Sequence, residues 1–248
     1  MDILTKLNPA QKEAVETIEG PVLILAGPGS GKTRVITHRI AYLVNTCGIN
    51  PHRVMAVTFT NRAAREMVER LQGLVSSSLG SLTIGTFHAI CARILRRDGS
   101  AIGIDPGFII YDDDDQISLI KRGLQELNLD PKKYVPRAIL SGISASKSRM
   151  LSPQDCTLGS RSYFDEVVGR VYERYQRLLA ESMALDFDDL LMRTVILFEK
   201  QTGYQPEALF KAGTALESLR DNRSRALFEK PVQQYPASPF AEQARGRL

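Results

Sequence analysis

The sequence predicts an α/β fold: a parallel sheet flanked by helices, a helical region inserted into it, and a short helical tail. Three observations carry that reading. An apolar run, Val22-Leu23-Ile24-Leu25, leads into a glycine-rich turn and then into a segment of helical period. Two further short apolar runs, around Val57 and Ile84, are each followed by an amphipathic stretch. From Gln116 to Phe198 the helical period persists with almost no strand signal. Strands that alternate with helices indicate a parallel sheet.

Each element has a local reason. Asn8-Pro9-Ala10-Gln11 reads as a helix start, with Asn8 as N-cap and Pro9 at the first helical position. Val22 to Leu25 reads as a buried strand. Thr33 to Val44 is amphipathic, with Val35, Ile36, Ile40 and Leu43 on one side. Val54 to Phe59 reads as a second buried strand, and Asn61 as the cap of a helix from Arg62 to Leu71. Ser76 to Ser81 is a polar loop, Leu82 to Thr86 a short third strand, and Phe87 to Arg97 another helix. The inserted region holds candidate helices at 116–128, 135–148, 162–183 and 187–200. Beyond a break at Thr202-Gly203-Tyr204-Gln205-Pro206, Glu207 to Leu219 and Ser224 to Gln234 suggest two short helices.

The 248 residues allow one large domain or two smaller ones. An apolar content of 43% beside 24% charged residues fits a soluble globular chain and excludes a fibrous or membrane-embedded one. The net charge of +4 permits a polyanionic partner without requiring one. Cys47, Cys91 and Cys156 lie far apart and share no metal-ligand spacing with His38, His52 or His88, which suggests free thiols in a reducing compartment. No signal peptide is read, and no apolar run reaches the roughly 18 residues that span a bilayer. The expected location is the cytoplasm.

The chemistry concentrates in Ala26-Gly27-Pro28-Gly29-Ser30-Gly31-Lys32-Thr33. Glycines let backbone N–H groups close around a polyphosphate, and a helix N-terminus adds partial positive charge at the same point. Lys32 can reach the β- and γ-phosphates, and the Thr33 hydroxyl can hold Mg²⁺. The strict pattern has glycine where this chain has Ala26, and Pro28 removes one backbone donor.

Three further segments narrow the reading: Leu7-Asn8-Pro9-Ala10-Gln11, the stretch from Ala56 to Met67 (Ala-Val-Thr-Phe-Thr-Asn-Arg-Ala-Ala-Arg-Glu-Met), and Thr83-Ile84-Gly85-Thr86-Phe87-His88. In this order and spacing the chain resembles superfamily 1 DNA helicases of the UvrD/Rep/PcrA type over residues 1–200. Tyr111 with Asp115-Gln116, and Ala184-Leu185-Asp186-Phe187-Asp188-Asp189-Leu190-Leu191, look like that family too. The resemblance implies a P-loop NTPase with a RecA-like parallel sheet, incomplete here, and a helical insertion. It divides the chain into an ATP-binding core over 1–110, a helical insertion with its return segment over 111–202, and a tail over 203–248. It implies ATP with Mg²⁺, bound by Gln11 at adenine, by residues 26–33 with Arg34 at the phosphates, and by Thr33 at the metal, with Lys32 and Thr33 catalytic. It implies single-stranded DNA against Phe59, Thr60, Asn61, Arg62, Thr86, Phe87 and His88. Composition alone makes Phe59 a core residue, His88 a capping or surface histidine, and Asp186, Asp188 and Asp189 the charged start of a helix.

Helicases of this type carry an acidic pair at the end of a further strand, about thirty residues beyond Phe187–Leu191. The region Phe210 to Leu219 shows no such signature. No second motor domain is read, and a truncated or fused gene product is one expectation. The helicase reading therefore stands beside two others: a non-hydrolysing ATP- and DNA-binding or interaction module, and an unrelated nucleotidase that uses Asp112 or Asp113 after the apolar run Phe108-Ile109-Ile110-Tyr111. Asp165-Glu166 lacks such a strand and reads as a helix face. Residues 208–248 resemble a tetratricopeptide-type repeat of periplasmic cell-envelope coordinator proteins, with Pro231 where its second helix should continue. Such a tail could dock a protein partner.

Overall fold

A computed structural model describes residues 3–20, 22–75, 79–160, 162–200 and 223–248. The chain divides into two compact units, one formed by Met1–Ile90 with Gln201–Leu248, the other by Cys91–Lys200.

In the first unit, α1 (Pro9–Glu16) starts on a full capping box, with Asn8 and Gln11 satisfying each other's backbone N–H groups. Its last carbonyls are met by Arg39, whose guanidinium donates to Ala14 and Thr17. Arg39 sits on α2 (Lys32–Asn45), and Leu7, Val15 and Val35 form the apolar seam between α1 and α2. Strand β1 (Met55–Thr58) pairs in parallel with β2 (Thr83–Thr86), Ala56 lying opposite Ile84 and Thr58 opposite Thr86. Helix α3 (Asn61–Gln72) connects them, and Met67 and Leu71 bury against Ile40, Ala41 and Val44 of α2 and Ala56 of β1. Thr60, not Asn61, is the N-cap of α3; its hydroxyl accepts from Ala63 N at 3.1 Å.

Val22 to Leu25 departs from expectation. It forms no strand, and Leu25 is 88% exposed. The physical reason is the lack of a partner: the sheet in this unit, among the described residues, is the β1–β2 pair alone. A buried strand needs neighbours on both edges as well as an apolar sequence.

The second unit begins within α4 (Phe87–Asp98). Two-residue strands β3 (Ile109–Ile110) and β4 (Ala184–Leu185) pair in parallel, although β4 carried no signal in the sequence. Helices α5 (Asp113–Glu126), α6 (Pro136–Ser148), α7 (Pro153–Leu158) and α8 (Tyr163–Glu181) build its main core. Val167, Val168, Val171, Tyr172, Tyr175, Leu178 and Leu179 follow the 3.6 period down α8 and face Ile139 and Ile143 of α6 and Ile120 and Leu124 of α5. A Cβ at Gly169 would come within 2.5 Å of the Thr157 hydroxyl, so glycine sets the approach of α7 to α8. Helix α9 (Phe187–Lys200) buries Leu190 and Leu197 against Leu95 and Phe108.

In the tail, α10 (Arg223–Gln234) packs against α11 (Pro239–Arg245). Helix α10 runs through Pro231 rather than stopping at it. The helix expected over Glu207–Leu219 lies outside the described residues. Among the described residues, no helix is long and apolar enough to cross a membrane.

Candidate functional site

The glycine-rich loop stands at the entry to α2. Gly29 and Gly31 take positive φ of 75° and 84°, the left-handed region in which a side chain is strained. Gly31 is the N-cap of α2, so the first N–H groups of the helix point into the loop. Lys32 folds back over the turn, and its ammonium donates to the carbonyls of Ala26 at 2.9 Å and Gly27 at 2.7 Å. The Ser30 hydroxyl donates to the Gly27 carbonyl at 2.7 Å. Gln11 closes the other side: its Nε2 donates to the Ser30 carbonyl at 3.0 Å, while its Oε1 accepts from Asn8 N. Residues far apart in sequence thus share one cleft of about 960 Å³, lined by Gln11, Gly29 to Arg34, Thr37 and His38.

The donor set of this cleft suits an anion. It offers the Lys32 ammonium, the exposed Arg34, the start of α2 and the backbone of a turn held open by glycine. Thr33 places one hydroxyl in the same lining. Among the described residues there is no cluster of three or more His, Cys, Asp or Glu side chains that could hold a metal alone. A divalent cation here would share its coordination between Thr33 and phosphate oxygens.

A second arrangement lies at the carboxyl ends of β1 and β2. Phe59 follows β1 and is 91% exposed; Phe87 follows β2 and is 47% exposed. Their rings sit 5.9 Å apart, tilted by 48°. The Thr58 hydroxyl donates to the Thr60 carbonyl at 3.0 Å, and the Thr86 hydroxyl accepts from Ala89 N at 3.3 Å, capping α4 as Thr60 caps α3. Two helix N-termini therefore flank the strand ends. Phe59 is not core; it lies open beside a second aromatic ring. Asn61 and Arg62 are exposed on the first turn of α3, with the Arg62 guanidinium 3.0 Å from Glu66, and His88 is half-buried on α4.

Several carboxylates of the second unit cap helices or sit in a buried ion cluster. Asp112 is the N-cap of α5, accepting from the N–H groups of Asp114 and Asp115 at 2.9 and 3.0 Å. Asp165 and Glu166 lie in the first turn of α8. Asp186 caps α9, accepting from Asp189 N at 2.8 Å. It is buried with Asp189 around Lys147, whose ammonium lies 2.6 Å from Asp186 and 3.0 Å from Asp189. The Tyr175 hydroxyl donates to Asp186, and Gln176 to Asp189. Burial pushes the Asp189 carboxyl above its ordinary range, a shift that Lys147 opposes. Burial likewise raises both Tyr172 and Tyr175, so their hydroxyls stay protonated and donate. Sequence reasoning missed Lys147. Its signal is position: it continues the stripe of Ile139 and Ile143 on α6, where a cation is out of place unless it is paired.

Comparison with known proteins agrees with the motifs. Residues 7–217 match the UvrD/REP helicase N-terminal domain. Over 198 residues the chain is 50% identical to the ATP-dependent DNA helicase PcrA of Bacillus subtilis (strain 168), which covers 80% of this chain and 27% of that protein. The same helicase from Staphylococcus aureus (strain Mu50) matches at the same identity and coverage. That of Leuconostoc citreum is 50% identical over 194 residues, 78% of this chain and 26% of its own length. The chain thus corresponds to about a quarter of the length of these relatives.

Proposed function

This chain belongs to the UvrD/REP helicase N-terminal domain family, and we propose that it forms the ATP- and single-stranded-DNA-binding part of a UvrD-type 3′-to-5′ DNA helicase. The observation that carries the proposal is a coincidence within one unit. Lys32, Thr33 and two left-handed glycines stand at a helix N-terminus, and an exposed Phe59–Phe87 pair stands at the adjoining strand ends. Open α/β sheets bind ligands at the carboxyl ends of their strands. A RecA-like core is the fold in which these pieces belong.

ATP would lie in the cleft. The Lys32 ammonium exchanges its two loop carbonyls, Ala26 and Gly27, for the β- and γ-phosphate oxygens. Gln11 exchanges the Ser30 carbonyl for the adenine edge, so reading the base releases the loop. The backbone of Pro28, Gly29, Ser30 and Gly31 wraps the phosphates, Arg34 adds positive charge from α2, and Thr33 contributes its hydroxyl to Mg²⁺. Mg²⁺ held there would supply charge neutralisation at the phosphates. Lys32 and Thr33 are the catalytic residues this unit contributes. A water-orienting carboxylate is the part the motifs do not supply.

Single-stranded DNA would cross the strand ends, with a base on Phe59 beside Phe87. The polar groups of Thr60, Asn61, Arg62, Thr86 and His88 would meet its backbone. Stacking plus phosphate contacts holds single strands without sequence preference. The tail over 203–248 would offer a docking surface for a protein partner.

The test is Phe59→Ala against a fluorescent single-stranded oligonucleotide. Loss of a stacking platform should weaken binding by about 1–3 kcal/mol, roughly 5- to 150-fold in Kd. Because Phe59 is exposed, the variant keeps the wild-type thermal transition. Unchanged affinity in a folded variant rejects the DNA-binding assignment of this face.

A further inference from the structure

The helical unit holds a cavity of about 220 Å³, lined wholly from within Cys91–Lys200. It shares no residue with the nucleotide cleft or with the Phe59–Phe87 pair. Ile104, Phe108, Leu179 and Met183 make its walls mostly apolar, and Asp105, Gln176, Asp189 and Arg193 supply its polar side chains. Three of these four already have partners. Asp189 is 3.0 Å from the Lys147 ammonium and accepts from Gln176 at 3.1 Å. Asp105 accepts from Gly107 N at 2.7 Å. Arg193, one turn beyond Asp189 on α9, is different. Its Nε is the only buried side-chain nitrogen or oxygen among the described residues without a hydrogen-bond partner. Buried polar atoms are nearly always hydrogen-bonded, and a charged donor left without an acceptor is costly.

We propose that this cavity binds a short-chain aliphatic monocarboxylate, whose oxygens meet the Arg193 guanidinium and whose chain lies against Ile104, Phe108, Leu179 and Met183. The chemistry of the lining selects that class. A carboxylate matches the planar fork of a guanidinium, and a single unpaired cation suits a monoanion rather than a polyphosphate. Apolar walls suit an aliphatic chain. The volume lies below the roughly 300–1,000 Å³ of sites for drug-sized ligands, so the chain is short. Asp189 does not repel such a ligand, because Lys147 already matches its charge. Asp105 is exposed, where water and salt screen it. The lining comes from α8, β4, α9 and the turn before β3, so the occupant braces these elements together, with no bond made or broken.

Sodium hexanoate is the probe, with hexanol, of equal chain length, as the uncharged comparison. In the full chain with isotope-labelled methionine methyls, Met183 reports from the cavity wall by NMR. Hexanoate should shift its methyl resonance saturably, with a Kd near or below about 1 mM for a ligand of this size. Hexanol should bind at least about tenfold more weakly. Arg193→Leu should weaken hexanoate by roughly 10- to 150-fold, the scale of a hydrogen bond to a charged group, and leave hexanol binding unchanged. If Arg193→Leu does not fold, Arg193→Lys, which keeps the charge and loses the fork, should show the same selective loss. Three results overturn the proposal: no saturable shift at Met183, hexanol binding as tightly as hexanoate, or a folded Arg193 variant with wild-type affinity for hexanoate.

Discussion

Replacing Lys147 by methionine should destabilise the helical unit severely and in a pH-dependent way. The Lys147 side chain is 0% exposed and those of Asp186 and Asp189 are 1% exposed. At separations of 2.6 and 3.0 Å, and at an effective dielectric near 20, each contact carries about 6 kcal/mol of gross attraction. Desolvation of the three charges, several kcal/mol per ion, offsets most of this, so the intact cluster adds little net stability. Removing only the cation is another matter, because two adjacent carboxylates then stay buried without their counter-charge. Such breakage costs about 3–5 kcal/mol, a large share of the 5–15 kcal/mol typical of a domain. The Asp189 carboxyl, which burial already raises, would then lose the Lys147 contact that opposes the shift and titrate further above its ordinary range. A raised folded-state pKa penalises the fold at neutral pH, and the penalty fades as pH falls through that value and the group protonates. The deficit of Lys147→Met relative to wild type should therefore be widest at pH 7 and narrow towards pH 4. Urea unfolding followed by circular dichroism at both pH values measures it. A deficit below about 1 kcal/mol at pH 7, or one that is constant between pH 7 and 4, would refute the reasoning.

Other expectations follow from single contacts. Gln11→Ala removes the amide proposed to read adenine and the contact that ties α1 to Ser30; competition binding should show the preference for adenine over guanine nucleotides reduced. Leu25→Ser should change the unfolding midpoint by an amount equivalent to about 0.5 kcal/mol or less, because Leu25 is exposed rather than buried in a strand; a loss above 2 kcal/mol would place it back in a core. Arg174 and then Arg122 hold the Glu126 carboxyl below its ordinary value, so its stabilising contribution is present above that value and is lost as pH falls through the lowered one; carboxyl NMR titration should find Glu126 below the other glutamates. The 248-residue chain should show little DNA-stimulated ATP turnover, since binding alone does not stabilise the transition state; clear stimulation that is lost in Lys32→Ala would show that a water-orienting carboxylate is in place.

Local signals in the sequence were reliable where the structure is decided locally. The N-cap at Asn8, the amphipathic period of α2 and α8, and the loop-to-helix junction at Lys32 all depend on residues within a few positions of one another. What was illegible depends on partners distant in the chain. Val22 to Leu25 has a strand's composition, but burial is set by flanking strands. Strand β4 is two residues long and exists through its pairing with β3. The Lys147 cluster joins residues 39 positions apart, and nothing near Lys147 announces Asp186. At the candidate site, motif and resemblance singled out the glycine-rich turn before α2 and the segments that hold Phe59 and Phe87, and the structure shows two left-handed glycines in the first and an exposed ring pair in the second.

The central claim is that residues 26–34 with Gln11 form a nucleotide site in which the Lys32 ammonium meets the phosphates. Titration of the wild-type chain and of Lys32→Ala with a fluorescent ATP analogue in the presence of Mg²⁺ tests it most directly. Lys32 is exposed and, among the described residues, its hydrogen bonds go to loop carbonyls alone, so its removal leaves the fold intact. A charge-assisted contact to phosphate should make the variant bind about 1–3 kcal/mol more weakly, with the wild-type curve saturating first. Coincident curves for the two proteins would contradict the assignment.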